Sequence, residues 1–293
     1  MSEIDGKRGN IYAKTTALEH YLKLSKVSGI MSGNSISGLY DSKKGIVINN
    51  IEYTGTEKYD QYLGMYVNAY VDEENTVQLI TPHNGKNKMM SVDGKDITGG
   101  TKERIAYQQK DNDKVFSADV ELGAPCIFNG RFFAKMFTAY VDFDMLSSEN
   151  AEVTLIDNNG DDVYDVVIVK DYAVYVAERI NYNDRVIYDR FGKPSITLQD
   201  QDEVRIYLKN GTQVDFQALS AGDVLCVYTQ KGVTDVSWGD IYIINDLVQG
   251  AVTGIDVENR MTIDGREYEL GSTLSEIEKQ IKPNVIHPYQ HER

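Results

Sequence analysis

Turn-forming dipeptides recur at short intervals along the middle of this chain and restrict its fold more than any other feature of the sequence. Asparagine or aspartate followed by glycine or asparagine favours the left-handed backbone that tight β-hairpin turns require. Apolar or alternating runs flank these dipeptides, as strands flank a hairpin turn. The dipeptides are Asn49-Asn50, Asp93-Gly94, Asn129-Gly130, Asn159-Gly160, Asn210-Gly211 and Asp264-Gly265. The pattern predicts antiparallel hairpins, and the absence of long helical segments between them disfavours parallel βαβ folds.

Two short helices are predicted at the ends of the chain. Thr16-Ala17-Leu18-Glu19 and Thr273-Leu274-Ser275-Glu276 both have capping-box spacing, in which the Thr and Glu side chains each bond to a free backbone N–H. We expect the first helix to stop before Gly29 and the second at Pro283. The predicted fold class is therefore mainly β: successive small antiparallel β-barrel or sandwich modules with short N- and C-terminal helices.

A diverged internal repeat indicates that one small β-module occurs twice. The segment from Val27 to Gly33, VSGIMSG, resembles the segment from Val248 to Gly254, VQGAVTG. Each precedes a strand, an Asn or Asp turn, and a return strand that contains Glu-Tyr. We accordingly divide the chain into an N-terminal arm and helix at 1–26, a small β-module at 27–90, a central β-module with an acidic hairpin loop at 91–246, and a third β-module segment with a C-terminal helix and tail at 247–293.

Charge and hydropathy exclude two classes of partner. The 293 residues contain 45 acidic and 30 basic side chains, for a net charge of −15, so the chain has no basic stripe for a phosphate backbone and we expect no nucleic acid. Apolar runs such as Val166-Val167-Ile168-Val169 are far shorter than the roughly 18 residues of a membrane helix, so we expect no membrane insertion. Twenty tyrosines against eight phenylalanines and one tryptophan favour strands and protein contacts.

The two cysteines are expected to have structural environments. Cys126 and Cys226 are a hundred residues apart without CxxC spacing, which excludes a cysteine zinc site and a disulfide scaffold. Both lie among apolar residues, which favours buried free thiols over a single bridge between them.

One loop has the residue spacing of a calcium site. Between two apolar runs, oxygen-bearing side chains occupy positions 1, 3, 5 and 9 of a nine-residue stretch: Asp157, Asn159, Asp161 and Asp165. Calcium prefers six to eight oxygen ligands, and the Val163 carbonyl with water would complete such a shell. We therefore predict a structural Ca²⁺ ion bound by Asp157, Asn159, Asp161, Val163 and Asp165.

The position of glycine and the charge of this loop bear on the prediction in opposite ways. The spacing resembles the start of an EF-hand loop and the calcium loops of integrin-type propeller blades, but those loops have glycine where this chain has Asp162. Aspartate tolerates the left-handed conformation better than most residues. Two like charges about 4 Å apart repel by roughly 4 kcal/mol at an effective dielectric near 20, and a bound dication would reverse that term. The alternative is a solvated hairpin tip whose carboxylates face water.

Motifs for catalysis are weaker in this sequence than the calcium-type spacing. The sequence has no GxSxG elbow, P-loop, GxGxxG fingerprint, HExxH or kinase motif. Paired carboxylates such as Asp142 and Asp144 are expected by chance in so acidic a chain, so they give little support to a glycosidase. Phe132 and Phe133, with Phe137 and Tyr140, would suit a sugar-binding platform, although core packing explains them better. We expect no catalytic residues and no organic cofactor.

The stretch from Val153 to Val167, VTLIDNNGDDVYDVV, resembles the β-rich, non-anchoring region of Gram-positive surface proteins that carry S-layer homology domains elsewhere. Further similar stretches follow in the same order: Gly29-Ile30-Met31-Ser32-Gly33-Asn34, Ile51-Glu52-Tyr53, Tyr62-Leu63-Gly64-Met65-Tyr66-Val67, Ile127-Phe128-Asn129-Gly130 and Ile263-Asp264-Gly265-Arg266-Glu267-Tyr268. The resemblance covers about residues 25–272. It implies small β-modules used as structural or displayed segments.

The N-terminus indicates either that this sequence is a fragment or that the protein takes an unusual route out of the cell. Residues 1–10 are polar and lack the apolar core of a secretory signal, and the sequence has no S-layer homology repeat, so anchoring cannot be carried over. A phage virion protein that borrowed such modules would need no export signal because virions leave by lysis. We expect a non-catalytic structural protein of an extracytoplasmic assembly, either a phage tail or baseplate component or a surface-layer-type protein, contacting other structural proteins or copies of itself. A carbohydrate-binding module that grips host glycan and a glycan-active enzyme stay open as alternatives.

Overall fold

The computed structural model describes residues 23–39, 45–109, 114–135, 143–199, 203–244, 248, 250–255 and 260–269. The chain divides into two compact units, Met1–Asp171 and Tyr172–Arg293. This division falls inside the stretch 91–246 that the sequence assigned to one central module, and the predicted module boundaries stay predictions.

Unit 1 contains thirteen strands among its described residues. They are β1 (Ser25–Gly33), β2 (Ile46–Ile48), β3 (Ile51–Tyr53), β4 (Tyr66–Val71), β5 (Val77–Pro82), β6 (Lys88–Asp93), β7 (Ile97–Thr101), β8 (Arg104–Gln108), β9 (Val115–Asp119), β10 (Pro125–Phe128), β11 (Arg131–Lys135), β12 (Glu152–Asp157) and β13 (Val166–Lys170). Its helices are short: the 3₁₀ helices Glu57–Tyr62 and Gly94–Asp96, and the α-helix α1 (Phe143–Leu146).

These strands form three sheets in unit 1. The orders are β3-β2-β1-β4-β5, β11-β10-β13-β12-β6 and β7-β8-β9. The middle sheet is apolar on both faces at its centre, since Leu155 and Val167 belong to one buried cluster while Ile156 and Val166 belong to another. Burial on both faces explains why β13 reads as a continuous apolar run and not as an alternating one.

Unit 2 contains an eight-stranded sheet, a three-stranded sheet and the 3₁₀ helix Phe216–Ala218. The strands are β14 (Ala173–Asn181), β15 (Val186–Asp189), β16 (Ile196–Leu198), β17 (Val204–Leu208), β18 (Gln213–Val214), β19 (Val224–Tyr228), β20 (Asp235–Val236), β21 (Gly239–Ile243), β22 (Val252–Ile255), β23 (Arg260–Ile263) and β24 (Arg266–Glu269). The larger sheet has the order β18-β17-β21-β19-β14-β15-β16-β20, and the smaller β22-β23-β24. Buried and half-buried residues alternate along β19, and the buried side chains of β17, β19 and β21 form one core with Phe216 and Leu219.

The predicted fold class, mainly β with small antiparallel sheets, is confirmed. The sheets formed by the described residues are open, each with an edge strand on either side. Within the same residues, no helix has the length and apolar content needed to cross a membrane. The helix predicted from Thr273 and the start of the helix predicted from Thr16 lie outside the described residues. The expectation that the first helix continues toward Gly29 is wrong, because β1 begins at Ser25 and pairs with β4 from that residue.

The hairpin predictions are confirmed at every turn dipeptide but one. Asn49-Asn50, Asn129-Gly130, Asn159-Gly160, Asn210-Gly211 and Asp264-Gly265 each join two antiparallel strands. Asp93-Gly94 was wrongly predicted: Gly94 starts a 3₁₀ helix between strands of different sheets, and its N–H donates to the Ala151 carbonyl at 2.6 Å. Three strand pairs, β10–β13, β16–β20 and β17–β21, are parallel, which the turn pattern did not predict.

The internal repeat is confirmed as two copies of one three-stranded meander. We call β1–β3 meander A and β22–β24 meander B. Both have the same register and the same irregularity in the first strand: Met31 pairs with Ile48 and Gly33 with Val47, as Val252 pairs with Ile263 and Gly254 with Thr262.

The turns of the two meanders also match. Asn49 and Asn50 have φ of 52° and 62°, and Asp264 and Gly265 have φ of 47° and 78°. These are the two left-handed residues of a type I′ turn. Gly29 and Gly250 lie directly against the turn side chain, where a Cβ atom would come 2.0 Å from Asn49 Oδ1 or 2.2 Å from Asp264 Oδ2. The same close approach between the glycine and the turn side chain therefore occurs in both copies.

Candidate functional site

The acidic loop lies at the end of the hairpin formed by β12 and β13. Its first two residues are buried, with Asp157 1% and Asn158 3% exposed, whereas residues 159–162 are exposed. The Asn158 side-chain amide donates to the Gly64 carbonyl at 3.0 Å, which attaches the loop to the chain segment before β4. The loop thus has a fixed base and a solvent-facing tip.

Asp157 organises the loop backbone. Its Oδ1 accepts the N–H groups of Gly160 at 2.6 Å and Asn159 at 3.2 Å. Its Oδ2 accepts the Asp162 N–H at 3.0 Å. A buried carboxylate that receives several backbone N–H bonds is compensated for its lost hydration. Asp157 is therefore a structural centre of the loop whether or not an ion is present.

The next two predicted ligands repeat a simpler version of this contact. Asn159 Oδ1 accepts the Asp161 N–H at 2.9 Å, and Asp161 Oδ1 accepts the Val163 N–H at 2.9 Å. Each odd-numbered side chain thus bonds to the backbone N–H two residues later, as in a series of Asx-turns.

Asp165, the residue directly before β13, closes the loop. Its Oδ2 accepts the Asn158 N–H at 2.8 Å, and its Oδ1 accepts the Asn159 side-chain amide at 3.0 Å. Burial raises the pKa of the Asp165 carboxyl above its ordinary value, and the nearby charges of Glu121, Asp157 and Asp161 raise it further. The structure therefore joins Asp157, Asn159, Asp161, Val163 and Asp165, the five predicted residues, in one hydrogen-bonded loop.

Asp162 adopts the left-handed conformation for which the resembling calcium loops use glycine. Its φ is 68° at the position where the resembling calcium loops have glycine. Its carboxylate forms an ion pair with Lys88 Nζ at 2.5 Å, and this hydrogen bond lowers the pKa of Asp162. Lys88 was missed by sequence reasoning because it reaches the loop only through the pairing of β6 with β12, which no local pattern predicts.

Calcium binding itself stays a prediction. In the part of the chain that the structure describes, no three His, Cys, Asp or Glu side chains already have the arrangement of a metal site. N–H groups donate to the carboxylate oxygens, and the Asn159 side-chain amide donates to one oxygen of Asp165.

A second candidate surface lies in unit 2, on the outer face of the eight-stranded sheet. Four half-buried tyrosines form a continuous series of ring contacts: Tyr207 with Tyr242 at 5.2 Å, Tyr242 with Tyr228 at 5.7 Å, and Tyr228 with Tyr172 at 5.2 Å between centroids. We call Tyr172, Tyr207, Tyr228 and Tyr242 the tyrosine face. The strand register brings them together, since Tyr207 and Cys226 are both the cross-strand partners of Tyr242.

An ion pair borders the tyrosine face. Arg205 and Asp240 are direct cross-strand partners, and the guanidinium donates to both carboxylate oxygens at 2.8 and 3.1 Å. Burial raises the pKa of Tyr242. The surface therefore combines apolar ring area, hydroxyl groups and a geometrically defined charge pair.

The remaining sequence candidates are placed as follows. Phe132 and Phe133 pack against buried clusters of unit 1, with Phe133 5.9 Å from Phe128 between ring centroids, so their role is packing. Asp144 lies in the first turn of α1. Its predicted companion Asp142, together with Phe137 and Tyr140, lies outside the described residues.

The two cysteines are free thiols, as their apolar surroundings favoured. Cys126 is buried in the core of unit 1, and burial raises its pKa to about 12. Cys226 is half-buried, and burial raises its pKa as well.

Comparison with protein-family models, with curated proteins and with solved structures finds no match to this chain.

Proposed function

We propose that this chain is a non-catalytic structural protein of an extracytoplasmic assembly, either a phage tail or baseplate component or a bacterial surface-layer-type protein. The observation that supports it most is the tyrosine face, where four aromatic rings in mutual contact lie on the outside of a sheet whose other side is a complete core. Tyrosine is enriched in protein interfaces because its ring is apolar and its hydroxyl still forms hydrogen bonds.

In this proposal the tyrosine face contacts further copies of the chain or other structural proteins. The net charge of −15 keeps the free protein dispersed, because like charges repel at a distance. Salt screens that repulsion, with a Debye length of about 8 Å at physiological ionic strength. Association through the face should therefore increase with both protein concentration and salt.

Calcium has a structural part in the same proposal. The acidic loop holds its side-chain oxygens in place through backbone N–H bonds, and burial together with the neighbouring carboxylates raises the pKa of Asp165. A dication would neutralise the repulsion among these carboxylates and stiffen the β12–β13 hairpin.

Sedimentation velocity of the full chain over a concentration series tests the main proposal. We expect the wild-type protein to associate and a Tyr228→Ser, Tyr242→Ser variant to stay monomeric. Tyr188→Ser is the matched control, since Tyr188 is a half-buried tyrosine of the same sheet outside the tyrosine face. Equal association of the face variant and the wild type, with unchanged circular dichroism, would contradict the proposal.

A carbohydrate-binding module is the second candidate. It is favoured by the nearly parallel rings of Tyr207 and Tyr242, 23° apart, next to the Arg205–Asp240 pair, because sugars stack on aromatic faces while charged groups orient their hydroxyls. Affinity electrophoresis in gels containing soluble polysaccharides separates the two. Retardation of the wild type and of Tyr188→Ser, but not of the face variant, would support glycan binding.

A further inference from the structure

The sequence contains four Asn-Gly pairs, a chemically reactive dipeptide, and the structure describes all of them. They are Asn84-Gly85, Asn129-Gly130, Asn159-Gly160 and Asn210-Gly211. The backbone nitrogen that follows an asparagine can attack the side-chain carbonyl carbon, and glycine favours this attack because it has no Cβ to obstruct the approach. Both the side-chain amide and the glycine nitrogen must be free to move together. Hydrogen bonds around each pair therefore decide which of the four reacts in the folded protein.

Hydrogen bonds hold the pairs at Asn129 and Asn159. Asn129 Nδ2 donates to the Asp171 carbonyl at 2.8 Å, and its Oδ1 accepts the Asp171 N–H at 2.9 Å. The Asn159 amide likewise donates and accepts within the acidic loop. The nitrogen that would attack there, that of Gly160, donates its proton to Asp157 at 2.6 Å. At both sites the reaction requires bonds of the native structure to break first.

The pair at Asn210 is held in a similar way. Asn210 Oδ1 accepts the Thr212 N–H at 3.0 Å, and the Gly211 N–H donates to the Leu208 carbonyl at 2.8 Å. Although Asn210 is exposed, both the attacked group and the attacking nitrogen thus have partners in the turn between β17 and β18.

Asn84 and Gly85 differ from the other three pairs. Both are exposed in the connection between β5 and β6. Among the residues that the structure describes, neither the Asn84 side chain nor the Gly85 N–H forms a hydrogen bond. Gly85 has a φ of 83°, and no atom lies within 4 Å of its Cβ position. The end of the connection is fixed, since the Asn87 side chain bonds to the N–H and carbonyl of Tyr66 at 2.6 and 2.8 Å.

We propose that Asn84 is a site of spontaneous deamidation in the folded protein. The Gly85 nitrogen bonds to Asn84 Cγ, the Cγ–Nδ2 bond breaks, and ammonia leaves with the proton of the Gly85 N–H. Water then opens the succinimide ring that has formed. Opening at Cγ gives aspartate with the ordinary backbone, whereas opening at the main-chain carbonyl gives isoaspartate, whose backbone is longer by a methylene.

Either product places a new carboxylate in a segment that contacts the acidic loop. Lys86 Nζ donates to the Asn159 carbonyl at 3.4 Å, and Lys88 forms an ion pair with Asp162. A carboxylate at position 84, two residues before Lys86, attracts the same ammonium group. The modification therefore adds negative charge to a chain whose net charge is already −15, next to its most acidic hairpin.

Peptide mapping by mass spectrometry tests this inference on the full-length protein, incubated at mildly alkaline pH and sampled over time. We expect Asn84 to convert about tenfold faster or more than each of the other three asparagines, which is the rate difference that one or two hydrogen bonds produce when they must break before attack. Preferential conversion of another Asn-Gly pair in the folded protein would overturn the proposal.

The same measurement in urea is the control for local sequence, because unfolding removes the protecting hydrogen bonds and should bring the four rates close together. An Asn84 that stays intact in the folded protein while the unfolded chain reacts would also overturn the proposal.

Asn84→Gln is the matched variant, since attack on its longer side chain requires a larger ring. It should lose the acidic species that ion-exchange chromatography resolves from the aged wild type, and Asn84→Asp should elute with that species from the start. An acidic species that forms equally in Asn84→Gln would contradict the assignment. The reaction requires neither the tyrosine face nor a metal ion, so this test and that of the main proposal fail separately.

Discussion

At the scale of single residues, Asp157 and Asp165 show how two carboxylates of one loop take different roles. Asp157 is almost fully buried and accepts three backbone N–H groups, so its charge is compensated by the loop that it shapes. Asp165 accepts one backbone N–H and faces the charges of Glu121, Asp157 and Asp161. Asp165 therefore binds a proton more tightly than an ordinary aspartate, first because it is partly buried and in addition because these charges surround it.

The raised pKa of Asp165 predicts the sign of a pH effect. The folded state binds its proton more tightly than the unfolded state, whose pKa is near 3.9, so this residue lowers stability as pH rises from that value through the folded pKa. In metal-free buffer, Asp165→Asn should flatten this decline, measured as the free energy of unfolding in urea at several pH values.

Asp162→Asn is the control of equal charge change. The Asp162 pKa is lowered by Lys88, so Asp162 contributes stability that is lost as pH falls, and its removal should change the slope in the opposite direction. A pH profile of Asp165→Asn that parallels the wild type would show that the pKa of Asp165 is not raised in the folded state.

At the scale of the element, the acidic hairpin loop predicts a thermal response to calcium. Millimolar Ca²⁺ should raise the melting temperature relative to chelator by several degrees, since saturation at a hundred times the dissociation constant contributes about 2.7 kcal/mol. Asp161→Asn and Asp165→Asn should lose the gain, and Asp162→Asn should keep it because Asp162 is paired with Lys88 and is not a predicted ligand.

Asp157 is not a suitable position for this test, because its side chain also holds the loop backbone. Identical melting curves in Ca²⁺ and in chelator would contradict the calcium site. A gain that survives in Asp161→Asn and Asp165→Asn would place the ion elsewhere.

The repeated meander predicts that equivalent glycines differ in tolerance. A Cβ at Gly33 would lie 2.6 Å from the Gly45 carbonyl oxygen and 2.9 Å from a methyl of Val47, whereas a Cβ at Gly254 meets nothing closer than Thr262 Oγ1 at 3.7 Å. Gly33→Ala should cost about 1–3 kcal/mol in urea unfolding because the backbone must move. Gly254→Ala should stay within about 0.5 kcal/mol of the wild type. Equal losses of unfolding free energy in both variants would contradict this predicted difference in tolerance.

At the scale of the whole molecule, each buried cluster draws its residues from one unit alone. Leu155 and Leu225 are both 0% exposed, one in each unit. In calorimetry of the full chain, Leu155→Ala and Leu225→Ala should each lower a different transition, with a loss of about 2–5 kcal/mol in that unit. A single transition that both substitutions lower equally would show that the units unfold together.

Much of the local structure could be predicted from sequence because a turn depends on few residues. Asn49-Asn50 and Asp264-Gly265 tolerate positive φ, and the flanking alternation then sets the register of two strands without help from the rest of the chain. Asp93-Gly94 shows the limit of such inference. Gly94 lies 2.6 Å from the Ala151 carbonyl, and a Cβ there would lie 2.2 Å from the Ser148 carbonyl, so distant backbone and not turn propensity governs its conformation.

The ligand spacing of the acidic loop could likewise be predicted from the sequence, but the residues that contact the loop could not. Oxygen atoms at alternate positions follow from the order of residues, whereas Lys88, Gly64 and Glu121 reach the loop from other parts of the fold. The tyrosine face is a similar case, since Tyr207, Tyr228 and Tyr242 come from separate strands whose order along the sheet differs from their order along the chain, and Tyr172 directly precedes β14.

Short-range patterning was thus sufficient for the β class, for most hairpins and for the duplicated meander, because left-handed turn residues and two-residue alternation act over a few bonds. Which strand edges meet, which meander is covered, and which charges surround Asp165 depend on contacts between distant segments. Meanders A and B make the distinction directly. Their strands have one register, but Met31 is buried in a cluster with residues of β4, β5 and the 3₁₀ helix Glu57–Tyr62, whereas the equivalent Val252 is exposed.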